Sequence, residues 1–186
     1  MRKDYDILVN KTHTISMFYV PNDLVVVPLE EQYGSPMKIS KITYEHFLKL
    51  QKLAKEEKID LCINNGYRSY LTQSALWLAY STKYGIKTTK SSVAFPGTSE
   101  HQTGLAIDLA KKVDGTNVSL TTAEYKTIQD LSLYCNFILR YPKGKESITG
   151  YQYEPWHYRY LPDEDIEYFK YSNDTLEEYY QKVKKR

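Results

Sequence analysis

The chain has 186 residues, a net charge of +2, and hydrophobic and charged fractions of 41% and 26%. That length supports one domain with a real core, and the balanced charge offers no basic face for nucleic acid. No run reaches the roughly 18 apolar residues of a membrane span, and no signal peptide is visible. The expectation is a cytoplasmic protein, or an extracytoplasmic one from which an export segment has been removed.

Residues 1–186 read as a single domain, with 1–40 as an extended N-terminal segment packed on it and 163–186 as a helical C-terminal segment. From Asp6 to Val27 the chain is apolar and β-branched, and Pro21 and Pro28 punctuate it; short extended pieces are expected. Over 41–58, Tyr44, Phe47, Leu48 and Ala54 recur at helical spacing. Ile59, Leu61 and Ile63 then alternate with Asp60, Cys62 and Asn64, a strand pattern that ends at the turn signal Asn65-Gly66. A second helix is expected from about Leu71 to Tyr84, stopped by Gly85. Residues 86–99 are polar, carry Pro96-Gly97, and read as a loop.

Alternation of Leu105, Ile107 and Leu109 predicts a strand over 104–110. Thr121 and Glu124 have the spacing of a capping box, opening a helix to about Tyr134. Phe137–Tyr141 and His157–Tyr160 read as strands, and helices at about 163–170 and 174–184 close the chain. Lys182, Lys184, Lys185 and Arg186 read as a solvated basic helix end. There is no regular βαβ rhythm, which favours an α+β fold with a small antiparallel sheet flanked by helices.

Cysteine and tyrosine say less. Cys62 and Cys135 lie in apolar runs and read as buried free thiols, with one bridge between them left open. The 19 tyrosines read mainly as partly buried packing, although a flat ring with a polar edge also suits a wet groove for sugars or peptides.

Three segments carry unusual chemistry: Ser99 to Asp108, Glu154 to Arg159, and Gly66 to Ser69. His101, Asp108 and His157 could supply three zinc ligands and leave the fourth place for water. A helix would separate His101 from Asp108 by about 10 Å, since each residue rises about 1.5 Å. A straight strand would separate them by about 23 Å. The chain must therefore fold back between them, and Thr103-Gly104 is where glycine allows it. His101 is expected on a turn, with Asp108 in the following strand. Pro155 disfavours a helix at Glu154, so a turn running into a strand is expected there. That turn can set Glu154 beside a metal-bound water as proton acceptor and donor.

Each residue also has a plainer reading. His101 alone is more often a surface or satisfied core histidine. Asp108 among apolar neighbours is a buried charge that needs a partner or a metal. Trp156 reads as core, holding the His157 loop. Arg159 reads as paired with a carboxylate or facing solvent.

Together these segments resemble the zinc D,D- and L,D-carboxypeptidases and dipeptidases of bacterial cell-wall metabolism, a peptidase group of VanY and VanXY type. Ser99, His101, Gly104, Ala106 and Asp108 match its Ser-x-His-x-x-Gly-x-Ala-x-Asp signature. Glu154, Trp156 and His157 match Glu-x-Trp-His. Leu8–His13, Gly66–Tyr70 and Leu139–Pro142 extend the likeness over about residues 7–161. The resemblance implies one zinc ion per chain on His101, Asp108 and His157, with Glu154 as general base and then general acid. It implies that Arg68 polarises the scissile carbonyl, and that Ser99 bonds the terminal part of the substrate. Gln73 lines the same pocket or is an exposed helix residue.

The implied activity is release of terminal D-alanine from peptidoglycan stem peptides or their D-Ala-D-Ala-terminated precursors. D-Ala-D-Ala dipeptidase, bifunctional, L,D-carboxypeptidase and non-catalytic zinc-module variants are the alternatives. The implied location is the cell envelope if a leader has been removed, and otherwise the cytoplasm. Loops 86–98, 111–120 and 143–150 are expected to shape the pocket.

Overall fold

The computed structural model describes residues 5–32, 34 and 36–184. Leu24–Val26 (β1) pairs antiparallel with Lys38–Ser40 (β2), and Lys41–Glu56 (α1) follows directly. Helix α1 buries Thr43, His46, Phe47, Leu50 and Ala54, a stripe at helical spacing. Leu61–Asn65 (β3) then leads into Tyr70–Tyr84 (α2) and Ile86–Ser92 (α3). Next come Ala106–Val113 (β4), Thr116–Val118 (β5), Thr122–Ser132 (α4) and Phe137–Leu139 (β6). Glu146–Thr149 (α5), His157–Tyr160 (β7), Asp163–Phe169 (α6) and Leu176–Tyr179 (α7) complete the order.

The main sheet runs β3-β4-β7-β6, with β5 folded back on β4 and every strand pair antiparallel. This is the expected α+β architecture. Because strand side chains alternate, the sheet has two chemically different faces. Ile63, Ile107, Leu109, Phe137, Tyr158 and Tyr160 pack with Phe47, Leu50, Ala54 and Ile128 of α1 and α4. Full burial of each such side chain contributes about 1.5–3 kcal/mol. The other face carries Asp108, His157 and Arg159. A second apolar cluster, Ile138, Leu161, Ile166, Phe169, Leu176, Tyr179 and Tyr180, seats the C-terminal helices.

Several expectations need correction. Residues 86–99 are not all loop, because α3 occupies 86–92; the buried Thr89 hydroxyl donates to the Gly85 carbonyl and fastens the turn. Within Asp6–Val27 only β1 is paired strand. The helix expected over 174–184 is a short α7 continued by a π turn at Tyr180–Lys184. Lys182 and Lys184 are not a free basic tip. Lys182 pairs with Asp174, while Lys184 pairs with Asp6 and Asp165; Lys185 and Arg186 lie outside the described residues. Cys62 and Cys135 are buried free thiols, with no bridge. The Thr121–Glu124 capping box is present.

Candidate metal centre and active site

Strand register brings the first two candidate ligands together. Asp108 of β4 stands directly opposite His157 of β7. Opposed residues of an antiparallel pair project side by side from one face. His157 Nδ1 lies 2.9 Å from Asp108 Oδ1. On the other flank a register shift between Ile63 and Asn65 swings Asn65 opposite Asp108. The Asn65 amide donates to Asp108 Oδ2 at 3.0 Å.

His101 arrives from the 3-10 turn Glu100–Thr103. Gly104 ends that turn at φ 70°, the left-handed region, and sends the chain back into β4 as the spacing predicts. His101 Nε2 lies 3.5 Å from Asp108 Oδ2. Its Nδ1 donates to the Gly66 carbonyl at 2.8 Å. Gly66 is required at that point, because a Cβ would sit 2.7 Å from the Lys38 carbonyl and the Ile39 side chain.

One donor atom from each of His101, Asp108 and His157 lies within 4.8 Å of the others, and all three residues are buried. Tetrahedral zinc ligands about 2.1 Å from the ion lie about 3.4 Å apart, so the set fits. The hydrogen bonding points the same way. A carbonyl only accepts, so the proton of a neutral His101 is on Nδ1 and its Nε2 lone pair faces a carboxylate oxygen. Burial pushes the His101 pKa down, which favours that neutral form. Two lone pairs facing each other in a buried place call for a cation between them.

The remaining charges are arranged around this cluster. Burial alone would raise the Asp108 carboxyl, but the adjacent imidazoles hold it well below the usual carboxylate range. Burial opposes a charge on His157, yet the neighbouring carboxylates of Asp108, at 2.9 Å, and Glu100, at 3.5 Å, hold its pKa up to about 9. Glu154 lies in the turn before β7, where the His157 amide donates to its carbonyl at 3.1 Å. Its carboxylate reaches within 3.9 Å of His157 Nδ1, and burial pushes its pKa up.

Arg68 faces the same cavity. Its amide donates to the His101 carbonyl at 3.1 Å, and its Nη1 donates to Gln73 Oε1 at 2.9 Å. Gln73 is 1% exposed and donates onward to the Ala94 carbonyl at 2.7 Å, so it braces Arg68 rather than facing solvent.

The cavity holds about 350 Å³ and brings together His101, Asp108, His157, Glu154, Arg68, Ser99 and Gln73, the residues to which the resemblance gives metal, catalytic or substrate-binding roles. Tyr141, Tyr151, Leu76 and Tyr80 add apolar wall, and Ser92–Ala94 come from the 86–98 segment. Trp156 is not core. It is 40% exposed at the mouth, because the turn from Glu154 to His157 points it outward. Asn117 and Ser119, from 111–120, line an adjoining polar depression that shares Asn65, Asp108 and Trp156 with the cavity. None of residues 143–150 lines the cavity.

Sequence reasoning missed Glu100. Its side chain is fully buried, and its Oε1 accepts from Arg140 Nε at 2.7 Å and Arg159 Nη1 at 3.0 Å. Of the two readings of Arg159, the paired one holds. The signal was a pair of arginines, in Leu139–Pro142 and after Trp156-His157, placed where strand alternation turns them inward.

The sequence profile of the VanY family, described as D-alanyl-D-alanine carboxypeptidase, matches residues 36–163. The putative carboxypeptidase YodJ of Bacillus subtilis is 39% identical, over 96% of this chain and 67% of that protein. The bifunctional D-Ala-D-Ala dipeptidase and carboxypeptidase VanXYC of Enterococcus gallinarum is 35% identical, over 93% of this chain and 92% of its own. Among solved structures, the LdcB LD-carboxypeptidase superposes with a TM-score of 0.85 at 37% identity, covering 95% of this chain and 85% of that one. The vancomycin resistance D,D-pentapeptidase VanY in complex with Zn(II) gives 0.77 at 30% identity, covering 93% and 97%.

Proposed function

Because the chain belongs to the VanY family of D-alanyl-D-alanine carboxypeptidases, we propose that it is a zinc peptidase releasing the C-terminal D-alanine of peptidoglycan stem peptides. One observation carries the reading: three buried ligand atoms within 4.8 Å of one another, flanked in one cavity by a carboxylate and a guanidinium. His101 Nε2, Asp108 and His157 Nδ1 would hold the ion. Zinc in that place acidifies a water and polarises a carbonyl.

The protein's own groups do the rest. Glu154 takes the proton of the attacking water and returns it to the departing amine of D-alanine; its raised pKa suits a carboxylate that must hold that proton for a time. Arg68, fixed by Gln73 and by the His101 carbonyl, presents its guanidinium to the carbonyl oxygen as negative charge develops. Ser99, beside His101 at the cavity wall, is positioned to bond the terminal residue of the substrate. Tyr141 and Tyr151, with ring centroids 4.8 Å apart, line the same cavity as Glu154 and give it an aromatic wall.

The D,D bond is the leading assignment, since the matching family profile and the bifunctional relative are both described by D-Ala-D-Ala. The second reading is L,D cleavage, supported by the likeness to the LdcB LD-carboxypeptidase. The experiment is to incubate zinc-loaded protein with a stem pentapeptide ending D-Ala-D-Ala, with the matching tetrapeptide, and with free D-Ala-D-Ala. Mass spectrometry reads released D-alanine, with Glu154→Ala in parallel. Release from the pentapeptide, lost in the variant, supports the D,D assignment; release from the tetrapeptide alone moves it to L,D. No release from any of the three overturns the carboxypeptidase reading.

A further inference from the structure

The buried Glu100 carboxylate has two unequal oxygens. Oε1 takes the bonds from Arg140 and Arg159, while Oε2 is buried with no hydrogen-bond partner. Facing it at 3.5 Å is His157 Nε2, also buried and without a hydrogen-bond partner. Two orphaned polar atoms aimed at each other across one short gap are a hydrogen bond that a slight approach of the ring completes. Tyr141 lies against that ring at 4.9 Å between centroids and 31° between planes, so the imidazole cannot turn over easily.

We propose that Glu100 is a positioning residue that sets the tautomer of His157, so that Nδ1 presents its lone pair to the metal. This rests on the zinc reading above. An ionised carboxylate only accepts, so the neutral imidazole beside it must carry its proton on Nε2. The lone pair is then on Nδ1, the atom that faces Asp108 at 2.9 Å and Glu154 at 3.9 Å. The two arginines keep Glu100 ionised although its side chain is fully buried. Arg140 is held in turn by both oxygens of Glu177 on α7, at 2.6 and 2.8 Å, and Asn10 donates to the same carboxylate at 3.1 Å. The line His157–Glu100–Arg140–Glu177 thus ties a metal ligand to the C-terminal segment.

Glu100→Gln is the informative change. Facing two guanidinium groups, the amide must turn its oxygen toward them and its NH2 toward His157 Nε2. That donor favours the wrong tautomer, with the proton on Nδ1. Zinc affinity, measured by competition with a chromogenic chelator, is expected to fall about 10- to 100-fold. Glu177→Gln loosens the same ion cluster without touching His157. It should melt earlier than wild type while keeping its zinc affinity.

Nitrogen-15 spectra of zinc-loaded wild type give a readout that does not depend on either variant folding. His157 should show a metal-bound Nδ1 and a protonated Nε2. Nε2 ligation, unchanged affinity in Glu100→Gln, or an equal fall in both variants overturns the positioning role. Wild-type protein that takes up no zinc overturns the functional reading and this inference together; wild type that binds zinc normally leaves only the inference at stake.

Discussion

Arg140→Met tests the ion cluster behind the candidate metal centre as a source of stability. Arg140 is fully buried, bonded to Glu100 at 2.7 Å and to both oxygens of Glu177. Methionine fills much of the arginine stem, so the loss is chiefly electrostatic. Removing one partner of a buried pair costs about 3–5 kcal/mol, because the other charge stays buried and uncompensated. For a chain of this size each kcal/mol moves the melting temperature by about 2–4 °C, which gives a fall of about 6–20 °C.

The loss should also depend on pH. In wild type, burial would raise the Glu177 carboxyl, but Arg140 outweighs it and holds it low. Its stabilising contribution is full above the ordinary carboxylate value of about 4.3, and is lost as pH falls through the lower folded value. In the variant the sign reverses. A buried carboxylate without its cation has a raised folded value, so acid relieves the variant while it begins to harm wild type. Urea titrations followed by circular dichroism from neutral pH down to about pH 4 read the difference. A deficit below about 1 kcal/mol at neutral pH, or one that does not narrow with acid, would refute the reasoning.

Other changes address the site directly. Glu154→Gln should lower turnover by about 10²–10⁴ with zinc still bound stoichiometrically; near-normal turnover would remove it as the proton carrier. Arg68→Lys keeps the charge but loses the fork held by Gln73, and kcat should fall by about 10²–10³ with a smaller effect on KM. Zinc at a hundredfold excess over its dissociation constant should add about 2.7 kcal/mol to stability, read as a shift in melting temperature that a chelator reverses. Gly104→Ala places a Cβ 3.1 Å from the Ser40 amide and the Leu24 side chain at φ 70°. It should cost at least about 1–2 kcal/mol, and an unchanged urea midpoint would mean the turn relaxes freely.

Much of the centre was legible because its chemistry leaves a trace in residue type and spacing. His101 and Asp108 could meet only if the chain reversed, and a glycine stood where reversal had to occur. Pro155 fixed Glu154 in a turn before a strand. The parts that stayed hidden depend on partners far along the chain. Glu100 reads as an ordinary charged residue until Arg140 and Arg159, 40 and 59 positions later, are seen against it. Gln73 looks like any polar residue of a helix until Arg68 folds over it. Helix α3 has β-branched and hydroxyl residues of modest helix propensity, and it forms because Gly85 and Thr89 close it tightly against α2. Trp156 shows the limit of treating a large aromatic as core, since a tight turn can aim even tryptophan at solvent.

The ribbon from Gly66 to Arg68 has a thermodynamic consequence. The Gly66 carbonyl takes the His101 ring proton, and the Arg68 amide bonds the His101 carbonyl. One short stretch of backbone therefore registers both where the candidate metal ligand His101 sits and where Arg68 sits. Under the proposed function, metal and peptide would be coupled ligands: an ion that settles His101 would also settle Arg68, and so tighten the hold on the peptide. Reciprocity requires the converse by the same factor. A bound, uncleaved peptide should retain zinc against a chelator, so that the enzyme is hardest to strip of its metal while it is occupied.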